Sequence, residues 1–302
     1  MTLEELYRKG TDMLKEAGIE NPSVDAFYLL EYAACIDKTK YLMFKDQNVT
    51  KLNIDQYMSL IERRVERIPY QYITGAADFA GLRFEVNESV LIPRLDTEVL
   101  FEQTLRRLPH RAYVLDLCTG SGALGIALKR YRPDIHMVMS DISEDALEVA
   151  ARNIEHNRLE LAGKSNSAAS EEDLEQGYNL NYGIRLINSD LFDGMAVDET
   201  GRFDVIVSNP PYVTASEYET LMPEVRDHEP KLALVSGIDG LDHYRRIAKD
   251  APGFLKDGGV LALETGCSQA DSVSKILAEN GFKDIEIIKD LAGLDRVICC
   301  RI

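Results

Sequence analysis

The sequence predicts an α/β protein, a doubly wound sheet of about seven strands preceded by a small helical bundle and a β-hairpin linker. Three observations carry this. Residues 1–75 show helical spacing of apolar positions throughout, and strand-length apolar runs alternate with helical segments from Tyr113 onward. The β-branched run Val205-Ile206-Val207, read as a strand buried on both faces, stops abruptly at Ser208-Asn209-Pro210-Pro211-Tyr212.

In the bundle, Leu3, Leu6, Tyr7, Met13, Leu14 and Ala17 share one helix face, which ends at Gly18. A second helix starts after Asn21-Pro22, with Asn21 or Ser23 as its cap, and carries Val24, Phe27, Leu30 and Ala34. Residues 39–43 begin another turn, and residues 54–67 form a fourth helix through Tyr57, Leu60, Ile61 and Val65. Such a bundle is either a structural cap or a substrate-docking face. Across residues 76–94 the period shortens to two. Phe79, Leu82, Phe84 and Val86 flank Ala80-Gly81 as in a hairpin, and Val90-Leu91-Ile92-Pro93-Arg94 leads into a helix over residues 97–108. Arg94, taken alone, reads as an ordinary surface charge.

The larger domain, residues 95–302, opens with a strand over 113–117, the glycine turn Cys118-Thr119-Gly120-Ser121-Gly122 and a helix over 123–130. A second strand, 135–141, ends in Asp141, about twenty residues beyond the turn, where one carboxylate can accept from both hydroxyls of a ribose. A helix over 144–159, capped by Ser143, follows. The polar, aperiodic stretch 163–181 predicts a mobile surface loop. The strand 184–187 reaches Asp190-Leu191-Phe192, where Asp190 is either an acceptor for an adenine amino group, with an apolar neighbour against the ring, or simply a polar strand terminus. Beyond the Asn209 strand come an acidic segment at 217–227, a helix over 241–251, a strand over 260–264 and a helix over 272–280. Strands 285–288 and 296–301 close the sheet as an antiparallel edge hairpin.

Two successive residues without backbone N–H must end the 205–207 strand and hold Asn209 extended at its carboxyl end, where open α/β sheets bind ligands. The Asn209 side chain and the free Pro210 carbonyl offer acceptors for both hydrogens of a planar –NH2 group, and Tyr212 offers a flat face to stack on it. The plainer alternative is a Pro-Pro turn that only ends a strand. The glycine turn lacks the three-glycine phosphate cradle, and Asp116 just before it repels phosphate but suits a cation. S-adenosylmethionine, with an ammonium, a sulfonium and no phosphate, fits these features better than a dinucleotide does.

Composition narrows the class. The chain has 302 residues, 45% of them hydrophobic, enough for a packed core and one or two domains. No apolar run approaches the roughly 20 residues of a membrane span, and the acidic, amphipathic start is unlike a signal peptide, so a cytoplasmic protein is expected. The 5 cysteines are scattered, without metal-ligand spacing, and read as reduced thiols mostly in the core, with no metal site. A formal net charge of −17 disfavours a polyanionic partner and suits a protein one.

Taken together, the chain resembles the HemK/PrmC family, the protein-(glutamine-N5) methyltransferases that modify peptide chain release factors. The likeness covers nearly the whole chain. It rests on Tyr72-Ile73-Thr74-Gly75, Phe79, Phe84, Ile92-Pro93-Arg94 with Thr97-Glu98, Asp116 to Gly122, Asp141-Ile142-Ser143, Ser208 to Tyr212, Glu229-Pro230, and Asp290-Leu291-Ala292-Gly293 with Asp295-Arg296. The resemblance implies a Rossmann-like methyltransferase sheet and S-adenosylmethionine as cofactor. It implies cofactor contacts at Cys118, Thr119, Gly120, Ser121, Gly122, Asp141, Asp190, Leu191 and Asn209. It also implies substrate amide contacts at Asn209, Pro210, Pro211 and Tyr212, with Asn209, Pro210 and Tyr212 carrying catalysis. The implied partner is a release factor, without nucleic acid or membrane, and a monomer is expected. Two departures stand out: the family usually has Gly at the position of Cys118 and Pro-Glu at Leu95-Asp96. Open alternatives are a glutamine in a ribosomal protein, a nucleic-acid amino group as methyl acceptor, and a cofactor-binding module without catalysis.

Overall fold

The computed structural model describes residues 1–158, 182–196 and 200–302, so the loop expected at 163–181 lies outside the described residues. The chain forms two compact units, residues 1–76 with 222–228, and residues 77–221 with 229–302.

The first unit is helical: α1 (Leu3–Glu16), α2 (Pro22–Ala34), α3 (Lys38–Phe44), α4 (Lys51–Val65) and α5 (Tyr70–Thr74). A capping box starts α1, with the Thr2 hydroxyl accepting the Glu5 N–H and the Glu5 carboxylate accepting the Thr2 N–H. The three-and-four spacing delivers Leu6, Leu14, Leu29, Leu30, Tyr57 and Ile61 into one enclosed core. Gly10 makes room there, since an added Cβ would lie 2.0 Å from the Tyr57 hydroxyl. Residues 222–228 are held to this unit by charge. Arg64 pairs with Asp25 at 2.7 Å and with Glu224 at 3.0 Å, and Arg67 reaches the same Glu224 oxygen at 3.2 Å.

The second unit begins with the hairpin β1 (Ala76–Phe79) and β2 (Leu82–Glu85). Its two-residue turn has φ of 48° at Ala80 and 75° at Gly81, the left-handed pair that matches strand twist. Pairing stops at Glu85, although the sequence period runs on. Val86, Val90 and Ile92 are buried outside the named strands, and the Ile92 N–H goes to the Glu229 carboxylate at 3.3 Å. The period there marks burial alone.

The main sheet joins β3 (Tyr113–Leu117), β4 (His136–Asp141), β5 (Ile184–Asn188), β6 (Phe203–Ser208), β7 (Leu255–Glu264), β8 (Lys283–Lys289) and β9 (Asp295–Arg301) in the order β5-β4-β3-β6-β7-β9-β8. It is parallel from β5 to β7, and β9 runs antiparallel to both its neighbours. Val114, Met137 and Val205 pack on one face with α6 (Thr97–Arg107), α7 (Ala123–Tyr131) and α8 (Glu144–His156). Leu115, Val138 and Ile206 pack on the other with helices Asp242–Phe254 and Ala270–Glu279. Burial on both faces is why these strands read as unbroken apolar runs. Register pairs Leu117 with Ser140 and Ser208, and Ser208 with Leu263, so the ends of β3, β4, β6 and β7 share one edge where strand order reverses.

Of the cysteines, Cys299 and Cys300 are buried, Cys118 is half-buried, and Cys35 and Cys267 are exposed. The expectation that most lie in the core therefore fails: Cys35 follows a helix end and Cys267 sits in a loop, and each is surface. Among the described residues no helix is long and apolar enough to cross a membrane.

Candidate active site

A cleft opens at that sheet edge. Cys118, Thr119, Gly120 and Ser121 line its floor, and Asp141, Asp190 and Leu191 line one side. Asn209 and Pro211 form part of the opposing wall. Gly122, Pro210 and Tyr212 do not belong to the lining. Gly122, at φ 81°, is a packing glycine, because a Cβ there would meet the Met139 methyl at 2.8 Å.

The glycine turn is braced from below. Asp116 Oδ2 accepts the Thr119 hydroxyl at 2.6 Å and the Gly125 N–H at 3.0 Å. Burial pushes the Asp116 carboxyl up to about 7, against the pull of those two donors. Asp116 therefore shapes the turn first, and its charge toward a ligand is weaker than the sequence suggests. Asp141 ties the turn to β4: its Oδ2 accepts the Gly120 N–H at 2.8 Å and its Oδ1 the Ser143 N–H at 3.0 Å. Burial raises its proton affinity, and the backbone donors oppose this. Each oxygen keeps a lone pair for a further donor. The space over Gly120 is open, with nothing within 4 Å of an added Cβ. Asp190 is already engaged, its Oδ1 accepting from Arg246 at 2.8 Å.

The wall opposite is built on the end of β6. The Ser208 hydroxyl donates to the Leu117 carbonyl at 2.7 Å, locking β6 to β3. Asn209 Nδ2 donates to Thr97 Oγ1 at 3.2 Å. The Tyr212 carbonyl accepts from Gln269 at 2.9 Å, and its hydroxyl donates to Glu264 Oε1 at 3.4 Å. Tyr212 thus stands behind the wall, where burial and then Glu264 raise its phenol well above the ordinary value. Glu264, at the end of β7, is buried. Burial pushes its carboxyl up to about 7, opposed by the Thr97 hydroxyl and the Arg296 guanidinium. Arg296 is gripped by Asp96 at 3.2 Å and Asp290 at 3.1 Å.

Sequence reasoning missed Thr97 and Glu264 and misread Arg94. The Arg94 guanidinium lines the cleft and pairs with Glu229, a carboxylate whose side chain is only 1% exposed. The signal for Glu264 was present, an acid ending an apolar strand as Asp141 does. Thr97 entered only as part of the Thr97-Glu98 step of the family resemblance, with no role attached, being one hydroxyl at the start of a helix.

The cleft suits a cationic ligand with a ribose. Asp141 and Asp190 line it, while among the described lining residues the one Arg or Lys, Arg94, pairs with Glu229, and burial lowers the proton affinity of His243. The sheet order, the acid-ended second strand of the domain and this cleft define a methyltransferase of the doubly wound α/β class, carrying an added helical bundle. A crystal structure of a methyltransferase from Pyrococcus furiosus shares the fold, with a TM-score of 0.52 over 80% of this chain and 98% of its own, at 20% identity. Residues 5–75 match the PrmC N-terminal domain, and residues 93–180 the methyltransferase small domain. The release factor glutamine methyltransferase of Clostridium acetobutylicum is 37% identical over 300 residues, 99% of this chain and 98% of its own length. That of Geobacter sulfurreducens is 38% identical over 291 residues, 96% of this chain and 93% of its own. The chain belongs to the release factor glutamine methyltransferase family.

Proposed function

We propose that this chain transfers a methyl group from S-adenosylmethionine to the side-chain amide nitrogen, N5, of the glutamine in the Gly-Gly-Gln motif of peptide chain release factors. The observation that carries the reading is Asn209, half-buried at the end of β6, in the cleft wall that faces Asp141. When bound, S-adenosylmethionine supplies an electrophilic methyl on a sulfonium. Asp141 would accept from the ribose hydroxyls with the lone pairs its two backbone donors leave free, and the open floor over Gly120 would give the ligand room. Leu191 would pack against the base, while Asp190 would offer the oxygen that Arg246 does not occupy.

An amide nitrogen is a poor nucleophile because its lone pair is delocalised, so orientation and acceptors for its hydrogens must do most of the catalysis. The Asn209 side-chain carbonyl in the wall accepts one hydrogen and aims the nitrogen at the methyl; the Pro210 carbonyl, which lies outside the lining, takes the other after a local shift of the segment. Pro211 shapes the wall, and Tyr212, anchored on Glu264 and Gln269, keeps the Asn-Pro-Pro frame from shifting. No separate general base is needed, since the proton leaves readily once the nitrogen is alkylated. The bundle of residues 1–75 serves as the docking face for the protein substrate, in the cytoplasm.

The test is transfer of labelled methyl to purified release factor carrying Gly-Gly-Gln or Gly-Gly-Ala. Label on the first alone is the expected result. If neither is labelled while ribosomal protein or RNA is, the substrate assignment falls.

A further inference from the structure

We infer that Arg94, held in place by Glu229, grips the carboxylate at the amino-acid end of S-adenosylmethionine. The inference deepens the methyl-transfer reading above and rests on it. That ligand brings a sulfonium and an ammonium, which an acid-lined cleft accommodates, and also a carboxylate, which Asp141 and Asp190 repel. A carboxylate taken out of water without a partner is costly, so the cleft must supply donors for it. Among the described lining residues Arg94 is the one Arg or Lys.

Topology puts Arg94 at the matching end of the cleft. Strand order runs β5-β4-β3-β6. The Asp190-Leu191 step follows β5 and Asp141 ends β4, so a base and a ribose bound there leave the rest of the ligand to cross the Gly120 turn toward β6. Asn209 stands on that side, just beyond β6. The Arg94 carbonyl accepts the Thr97 N–H at 3.2 Å, and the Thr97 hydroxyl accepts from Asn209 at 3.2 Å, so Arg94 belongs to the Asn209 wall.

The side chain is also set in advance. One oxygen of the buried Glu229 carboxylate pairs with Arg94 Nη2, and the other accepts the Ile92 N–H at 3.3 Å. With both oxygens engaged, Glu229 is fixed, and it fixes one edge of the planar guanidinium. Arg94 Nε and Nη1 make no hydrogen bond among the described residues, and the side chain remains 36% exposed at the cleft. The N–H groups left over keep the rigid fan of donors that suits a second carboxylate. Because Glu229 already restrains the long side chain, less ordering remains to be done when the ligand arrives. Glu229 does not line the cleft, so it acts through Arg94 as a positioning residue.

The experiment uses two ligands that differ at that end alone. S-adenosylhomocysteine carries the aminocarboxylate, whereas 5′-methylthioadenosine lacks it and keeps the base, the ribose and the sulfur. Arg94, a cation, can favour only the carboxylate of that group. Calorimetry on the full chain measures both ligands for the parent, R94M, R94K and E229Q, and needs no methyl acceptor. R94M is expected to lose at least about tenfold in affinity for S-adenosylhomocysteine, as removal of a charge-assisted pair does, with 5′-methylthioadenosine held within about threefold. R94K keeps the charge without the planar fork and recovers part of the loss. E229Q falls between the parent and R94M for S-adenosylhomocysteine alone. Equal losses for both ligands in R94M would show that Arg94 only maintains the shape of the cleft, and would overturn the assignment. Unchanged S-adenosylhomocysteine binding in R94M overturns it too, and a raised KM for a release factor in that variant would give the guanidinium to the protein substrate. E229Q binding S-adenosylhomocysteine as the parent does overturns the positioning role of Glu229. If the parent binds neither ligand, the methyl-transfer reading itself falls and takes this one with it.

Discussion

Replacing Asn209 with alanine separates catalysis from cofactor binding. The variant removes the acceptor proposed to meet the substrate NH2 as positive charge develops on nitrogen. Loss of one preorganised polar group of this kind costs about 10²–10³ in kcat, roughly 2.7–4 kcal/mol. The cofactor loses little, because the groups that hold the turn, Gly120, Asp141 and Ser143, bond to one another and none of their hydrogen bonds runs through Asn209. The fold loses one side-chain bond, the 3.2 Å contact to Thr97, worth about 1 kcal/mol net. Steady-state methyl transfer, calorimetric titration with S-adenosylmethionine and thermal melting read the three effects apart. The expected pattern is a fall in kcat of at least about a hundredfold, with Kd within about threefold and a melting shift of a few degrees. Equal losses in kcat and cofactor affinity would make Asn209 chiefly a cofactor residue and refute the clamp.

Three further outcomes follow from the geometry. Asp141→Ala removes the ribose acceptor and unties Gly120 and Ser143, so calorimetry should show cofactor Kd rising by about a hundredfold, two charge-assisted bonds at roughly 1.5 kcal/mol each, with kcat much less affected. Glu264 is pushed up to about 7 from an ordinary 4.5, so the folded state binds its proton more tightly than the unfolded chain does. Its contribution is intact below about 4.5 and is lost as pH rises to about 7, on the order of 3 kcal/mol. Denaturant titrations should show the parent losing stability relative to Glu264→Gln across that interval, and parallel curves would contradict the burial argument. Cys118 has φ 58°, a left-handed backbone that costs a side chain about 1 kcal/mol or more, so Cys118→Gly should melt higher than Cys118→Ala, and the reverse order would show that the thiol packing dominates.

What the sequence disclosed and what it hid divide along a physical line. The strands were legible because each parallel strand is buried on both faces and therefore unbroken in its apolar character, and the acid or proline that ends it is a local event. Asp141 and Asn209 were found this way. Glu264 closes β7 with the same signature and was read only as a strand end, because an acid is informative when a ligand needs it and nothing local says that a distant tyrosine does. Asn209 and Thr97 are 112 residues apart, and Arg94 and Glu229 are 135 apart. No period or spacing links them, and a polar pair leaves no trace in hydropathy. Residues 222–228 joined the helical unit for the same reason, through Arg64 and Arg67 meeting Glu224. Local chemistry thus announces groups that line the cleft, while the polar pairs that fix their orientation exist only once the sheet edge has assembled, and that is where substitutions outside the lining are expected to act on turnover.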